Sequence, residues 1–220
     1  MTSPISSTAG NHTLAVETSG LQGSLAIGEF QVTWEKKAIH SEMATIQLEQ
    51  LLLQARLNLQ DVNRIVVNCG PGSFTGIRVG VNLARTLAYS LNIPVAAVNS
   101  LKLLAAQQGL QGEKVFVALK AIQNFYYCGG YHISSAGLDE SLAPCSLAGP
   151  ELEAHTKGFT KVLIEGSTTN FTSQLEAKTM LQWLARWPGS AVFSAWREVR
   201  PVYIRASEAE EKLLKGLLKT

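Results

Sequence analysis

Apolar and polar positions alternate quickly at the start of the chain and slow to a helical period afterwards. Thr13 to Glu17 reads as a short strand, followed by the turn formers Thr18 to Gly23. Ser24 to Gly28 and Gln31 to Lys36 continue as two further strands, so the chain opens as a β-meander. A helical pattern runs from Ser41 to Gln54, then a buried-type strand from Arg64 to Asn68. A glycine-rich loop, Cys69 to Phe74, leads into a second long helix, Thr75 to Ser90. Ile93 to Val98 is another strand, and Ser100 is placed to cap a third helix that stops near Gly109. Three strands followed by helix, strand, helix, strand predict an α/β fold with a mixed sheet.

The remainder is less regular. Lys114 to Leu119, Asn124 to His132 and Lys161 to Ile164 read as strands, with a bulge expected at Gly129-Gly130. Helices are expected over Thr179 to Trp187 and Glu208 to Leu218. The change of rhythm sets a domain boundary near residue 100, giving a first lobe over 13–100, a second over 101–220 and a flexible tail over 1–12.

The two long helices carry more apolar surface than one core face needs. Ala44, Leu48, Leu51 and Ala55 share one side of the first, yet Met43, Ile46, Leu53 and Leu57 lie opposite, where a surface helix is normally polar. In the second, Gly76, Gly80, Ala84 and Ala88 recur every four residues and form a groove that another backbone can approach closely. Arg78, Asn82, Arg85 and Tyr89 make its polar strip. Burial of both helices within the chain and docking against another subunit fit this pattern equally. The docking reading selects Met43, Ile46, Gln50 and Leu53 of the first helix and Gly76, Gly80, Ala84 and Ala88 of the second.

Composition narrows the classes without choosing one. The chain has 220 residues with 46% apolar and 16% charged, ordinary for a soluble globular protein, and no apolar run nears the roughly 18 residues of a membrane span. A net charge of +2 does not announce a nucleic-acid binder. Cys69, Cys128 and Cys145 show no metal or disulfide spacing and fit a reducing cytoplasm.

Candidate chemistry is sparse. The loop residues Gly70, Gly72, Ser73 and Thr75, with Arg78, sit between strand and helix, where an anion such as phosphate is favoured. The spacing is neither that of a Walker loop nor the dinucleotide fingerprint, and a sharp structural turn explains it as well. Glu17 ends the first strand, where a phosphate-transfer fold could use a carboxylate for magnesium. His40 lacks a second histidine one turn on, that position being Ala44, so no metal site is expected. His12, His132 and His155 read as ordinary histidines. Trp183, Trp187, Trp196 and Tyr203 lie near Arg186, Arg197, Arg200 and Arg205, a mixture that stacks on RNA bases or more simply forms a core with solvated arginines.

The same residues carry a family resemblance. Gly70-Pro-Gly-Ser-Phe-Thr-Gly-Ile-Arg-Val-Gly80, with Ala84 and Asn92-Ile-Pro-Val, resembles the signature segment of the TsaB (YeaZ) family. His40-Ser-Glu42, Leu14-Ala-Val-Glu-Thr-Ser19 and Arg200-Pro-Val-Tyr-Ile-Arg205 are similar to its other motifs, although the family usually has aspartate where Glu17 stands. The resemblance implies a two-lobed actin/hexokinase/Hsp70-like (ASKHA) fold. It also implies a non-catalytic subunit in the formation of threonylcarbamoyladenosine in tRNA. Such a subunit pairs with the catalytic paralogue TsaD through its two long helices, with the ATPase TsaE joining, and forms a homodimer when alone. No cofactor is expected beyond a weakly held or interface-bound nucleotide, and tRNA is met through the complex. The segment Lys120-Ala-Ile122, then Gln-Asn-Phe-Tyr-Tyr127, departs from the family's Asp-Ala-Arg string and weakens a nucleotide site there. The rival class is a nucleotide-dependent small-molecule kinase or transferase of the same superfamily, using Glu17 and the glycine-rich loop. A peptidase ranks last, having no triad or metal motif.

Overall fold

The computed structural model describes residues 12–35, 40–167 and 171–204, without the side chains of residues 40–42. Residues 1–11 of the expected 1–12 tail, the His40-Ser-Glu42 side chains, Arg205 and the expected Glu208 to Leu218 helix lie outside the described residues.

The first sheet has strand order β3-β2-β1-β4-β5, built from β1 (Thr13–Glu17), β2 (Gln22–Ile27), β3 (Phe30–Glu35), β4 (Arg64–Gly70) and β5 (Val95–Asn99). The meander pairs antiparallel, with Leu14 opposite Ile27, while β1, β4 and β5 run parallel, with Leu14 beside Ile65 and Ile65 beside Val95. The central strands β1 and β4 are buried on both faces, which is why they read as unbroken apolar runs, not alternating ones. Their two faces differ in size. Leu14, Val16, Leu25, Ile65 and Val67 pack under α1 (His40–Ala55) and α2 (Phe74–Leu91). The smaller Ala15, Ala26, Val66 and Ala96 face α3 (Ser100–Gln108) and α5 (Ala177–Arg186).

The second sheet has the order β8-β7-β6-β9, from β6 (Lys114–Lys120), β7 (Phe125–Ile133), β8 (Leu138–Ala148) and β9 (Lys161–Ile164). Val115, Val117, Tyr131, Ile133 and Leu163 join the core of α3 and α5, so this helical layer is sandwiched between the two sheets. The opposite face carries Phe116, Ala118, Cys128 and Leu147 under the short α4 (Leu152–His155) and Phe159.

Most elements fall where the pattern puts them, and the differences have local causes. The cap of α3 is Asn99, whose Oδ1 accepts from Leu101 and Lys102 N–H at 2.8 and 3.4 Å; Ser100 is the first helical residue. Strand β8 escapes the reading because it is an edge strand with Asp139, Glu140 and Pro144 in it. The expected bulge is present, the β7–β8 register shifting around Gly130. Helix α2 is capped at its start by Ser73, whose hydroxyl accepts from Gly76 N–H at 3.2 Å, and ends on Asn92 in the left-handed region. Replacing Ser73 with Ala is expected to lower stability by about 1 kcal/mol in urea unfolding, the typical worth of such a cap.

Candidate functional site

Helices α1 and α2 lie side by side on one face of the first sheet, α1 over β2 and β3 and α2 over β4. On α1, Ala44, Leu48, Leu51 and Leu52 are buried, whereas Ile46 and Leu53 are 48% and 77% exposed. Ile46, Gln50 and Leu53 follow one another at helical spacing on the outward side, with Met43 half-buried beside them. Outward apolar groups are thus present on α1 as the pattern implies.

The small-residue stripe of α2 is a correction. Gly76, Gly80, Ala84 and Ala88 are all buried in the chain itself. A Cβ on Gly76 would stand 2.0 Å from the carbonyl oxygen of Thr18, and one on Gly80 2.2 Å from Thr18 Oγ1. The β1–β2 turn therefore fills the groove, and Thr18 Oγ1 donates to Gly76 O at 2.7 Å. The backbone that the glycines admit is the chain's own, and Ala84 and Ala88 are buried in the core beneath α2, so none of the four is presented at the surface. The strip Arg78, Asn82 and Tyr89 is exposed on α2, with Arg85 half-buried.

The glycine-rich loop is held by the same turn. Ser73 N–H donates to Ser19 O at 2.7 Å, Gly76 N–H to the Ser73 hydroxyl, and Gly70 N–H to Asn68 Oδ1 at 2.9 Å. A Cβ on Gly72 would also strike Ser19 O, at 2.6 Å. Thr75 and Arg78 are exposed, and Arg78 turns to Tyr203 and Phe74. The N–H groups of Gly70, Ser73 and Gly76 are thus used within the chain, as in a capped strand-to-helix turn, while Gly72 lies exposed at its tip.

Beneath the loop is a buried polar network that the sequence reading did not assemble. Glu17 is fully buried; its Oε1 accepts from Ser19 N–H at 2.6 Å and Ser19 Oγ at 2.7 Å, and its Oε2 from Asn68 Nδ2 at 2.5 Å. Asn68 Nδ2 also donates to Ser19 Oγ at 2.9 Å, and Ser100 Oγ donates to Asn68 Oδ1 at 2.9 Å. Burial pushes the Glu17 pKa up from 4.5, against the hydrogen bonds from Ser19, Asn68 and the backbone of Ser19 and Thr18. The available signal was positional. Glu17, Asn68 and Ser100 stand at or just past the carboxyl ends of the parallel strands β1, β4 and β5, where open α/β sheets gather polar groups. Here those groups bond one another, and Glu17 is closed off from solvent.

Other candidates are structural. Cys69 Sγ donates to Val98 O at 3.1 Å, and burial pushes its thiol up to about 11, so it is not a thiolate at neutral pH. His12 and His155 bond the backbone carbonyls of Asp61 and Glu151. Among the described residues no group of three His, Cys, Asp or Glu is placed to hold a metal ion, and no helix is long and apolar enough to cross a membrane. The tryptophans divide: Trp183 and Trp187 are core, while Trp196 and Tyr203 lie along α2.

Two mixed sheets with flanking helices in this order define an α/β protein of the actin/hexokinase/Hsp70-like type. The fold is shared with YeaZ from Pseudomonas aeruginosa, at a TM-score of 0.68 and 22% identity over 88% of this chain and 99% of that one. The family model described as "TsaD: tRNA N6-adenosine threonylcarbamoyltransferase" matches residues 35–165, more than half of the chain, and the chain belongs to that family. Its curated relatives include proteins named "tRNA threonylcarbamoyladenosine biosynthesis protein TsaB", as the motifs implied. That of Bacillus subtilis (strain 168) is 39% identical over 61% of this chain and 56% of its own length. That of Buchnera aphidicola subsp. Schizaphis graminum is 31% identical over 54% and 59%. The chain spans less than two thirds of the length of these relatives.

Proposed function

We propose that this chain is a non-catalytic partner subunit in the formation of threonylcarbamoyladenosine in tRNAs reading ANN codons. It docks and activates a TsaD-type catalytic subunit, with a TsaE-type ATPase joining, and self-associates when alone. Its site is the cytoplasm, which the three free thiols suit. The observation that carries the reading is the outward apolar face of α1, where Leu53 is 77% exposed in line with Ile46. An isolated exposed leucine is ordinary, but two in register on one helix offer the anchor that a second helix needs. The sealed Glu17 supports the non-catalytic half of the proposal.

The test is co-purification with a TsaD homologue and reconstitution of tRNA modification. Ile46→Asp with Leu53→Asp is expected to weaken the pair by at least about 30-fold, the effect of losing a central interface anchor. Val192→Asp, at an exposed apolar position away from α1, should leave pairing intact. A normal complex from the α1 double variant would remove the interface from this face.

A further inference from the structure

A second surface feature lies on the other flank of α2. The chain returns to β5, where Ser194 and Val95 exchange backbone hydrogen bonds at 3.0 Å, and then runs back along α2. Trp196 meets Tyr89 edge-on at 5.3 Å near the end of the helix, and Tyr203 meets Phe74 at 5.0 Å at its start. Residues 196–203 therefore run antiparallel to α2, pinned by the buried Val199 and by Val202 N–H donating to Cys69 O at 2.8 Å. Because α1 covers β2 and β3 while this segment comes from the β5 edge, the two flanks of α2 are separate surfaces.

Arginines and rings interleave along this seam. Arg78 lies 3.9 Å over Phe74 and donates from Nε to Tyr203 OH at 2.8 Å. Arg85 and Arg197 stand 5.3 and 5.2 Å from the Trp196 ring centroid. Arg200 adds a fourth cation, and Glu198 is the one carboxylate of the returning segment. Among the described residues none of these arginines is in an ion pair. Phe74, Tyr203 and Tyr89 remain 40%, 44% and 66% exposed. From Phe74 to Tyr89 the helix rises about 22 Å, room for a few nucleotides.

We propose that this seam binds single-stranded RNA, bases stacking on Tyr203, Phe74 and Tyr89 while Arg78, Arg85, Arg197 and Arg200 meet the phosphates. A staple holding the segment to α2 needs one cation–ring contact, whereas four cations without an ion pair among the described residues, set among half-open rings, match the two requirements of single-strand binding. An acidic protein face would use the cations and leave the rings idle. The choice of RNA as the polyanion rests on the proposed function; the chemistry of the seam does not depend on TsaD docking.

The test titrates the full chain into a labelled single-stranded RNA oligonucleotide and the matching duplex at low salt, following fluorescence anisotropy. Micromolar binding that favours the single strand is expected. Tyr203→Ala should weaken it about tenfold and Tyr203→Phe should retain it, since stacking needs the ring and not the hydroxyl. Arg78→Gln with Arg197→Gln should weaken it about tenfold and flatten the salt slope by roughly 1.4, two phosphate contacts on a single strand. Lys120→Gln with Lys157→Gln, exposed cations on the second sheet and beyond α4, should change little. The proposal is overturned by absence of binding, by a duplex bound as tightly, or by equal loss from the lysine pair. Seam variants that keep RNA affinity but lose the TsaD homologue would assign the seam to an acidic partner. Loss of RNA binding with co-purification intact leaves the subunit reading standing, and the α1 variants test that reading separately.

Discussion

Gly76→Ala is expected to destabilise the chain by about 3 kcal/mol in urea unfolding, the upper end of overpacking costs. Helix propensity alone points the other way, because alanine inside a helix gains about 0.5–1 kcal/mol over glycine. The contact decides the sign. The new Cβ would lie 2.0 Å from the Thr18 carbonyl oxygen, a backbone atom fixed in the turn that also bonds Ser73. Gly80→Ala meets the Thr18 hydroxyl at 2.2 Å, with the next atoms at 3.5 Å. Thr18→Ala should therefore recover most of the Gly80→Ala loss and none of the Gly76→Ala loss, a coupling that a double-mutant cycle reads directly. A Gly76→Ala chain as stable as the parent would mean that the β1–β2 turn does not rest on α2.

That contact also marks the limit of what the sequence could say. The four-residue spacing of Gly76, Gly80, Ala84 and Ala88 correctly announces a close backbone approach, since spacing reports the shape of a groove. It does not name the occupant. Thr18 lies 58 residues upstream of Gly76 and belongs to a turn whose own composition only says that the chain reverses there. The docking reading consequently places half of its residues on the wrong side of α2, while Ile46 and Leu53, selected by the same logic on α1, are outward. Strands with a strong local signal, such as Thr13–Glu17 and Lys161–Ile164, fall at the expected positions. Strand β8 does not, because an exposed edge needs charges and a proline that erase the alternation. The polar network is hardest of all. Glu17, Asn68 and Ser100 are each unremarkable in their segments, and only the parallel order β1-β4-β5 brings them together.

Within that network, Asn68→Ala should cost about 3 kcal/mol at neutral pH, the scale of leaving buried hydrogen-bonding groups without their partner. Four hydrogen bonds disappear at once: those to Glu17 Oε2 and Ser19 Oγ, and those from Gly70 N–H and Ser100 Oγ. The pH dependence separates packing from electrostatics. Because burial raises the Glu17 pKa above 4.5, the folded state holds this proton more tightly than the unfolded chain. Its contribution is therefore fully present below about pH 4.5 and is lost as pH rises through the folded value. Asn68 donates to the carboxylate and so restrains that rise; without it the folded pKa climbs further. Between about pH 4.5 and pH 8 the cost of Asn68→Ala should accordingly stay level while Glu17 is protonated in both folded chains, and grow once the pH passes the parent's folded value, by at most about 1.4 kcal/mol per pH unit for one proton. Urea unfolding of parent and variant across that range provides the comparison. A cost that shrinks as pH rises would show that Asn68 favours the protonated acid over the carboxylate, against the direction its hydrogen bond to Oε2 gives.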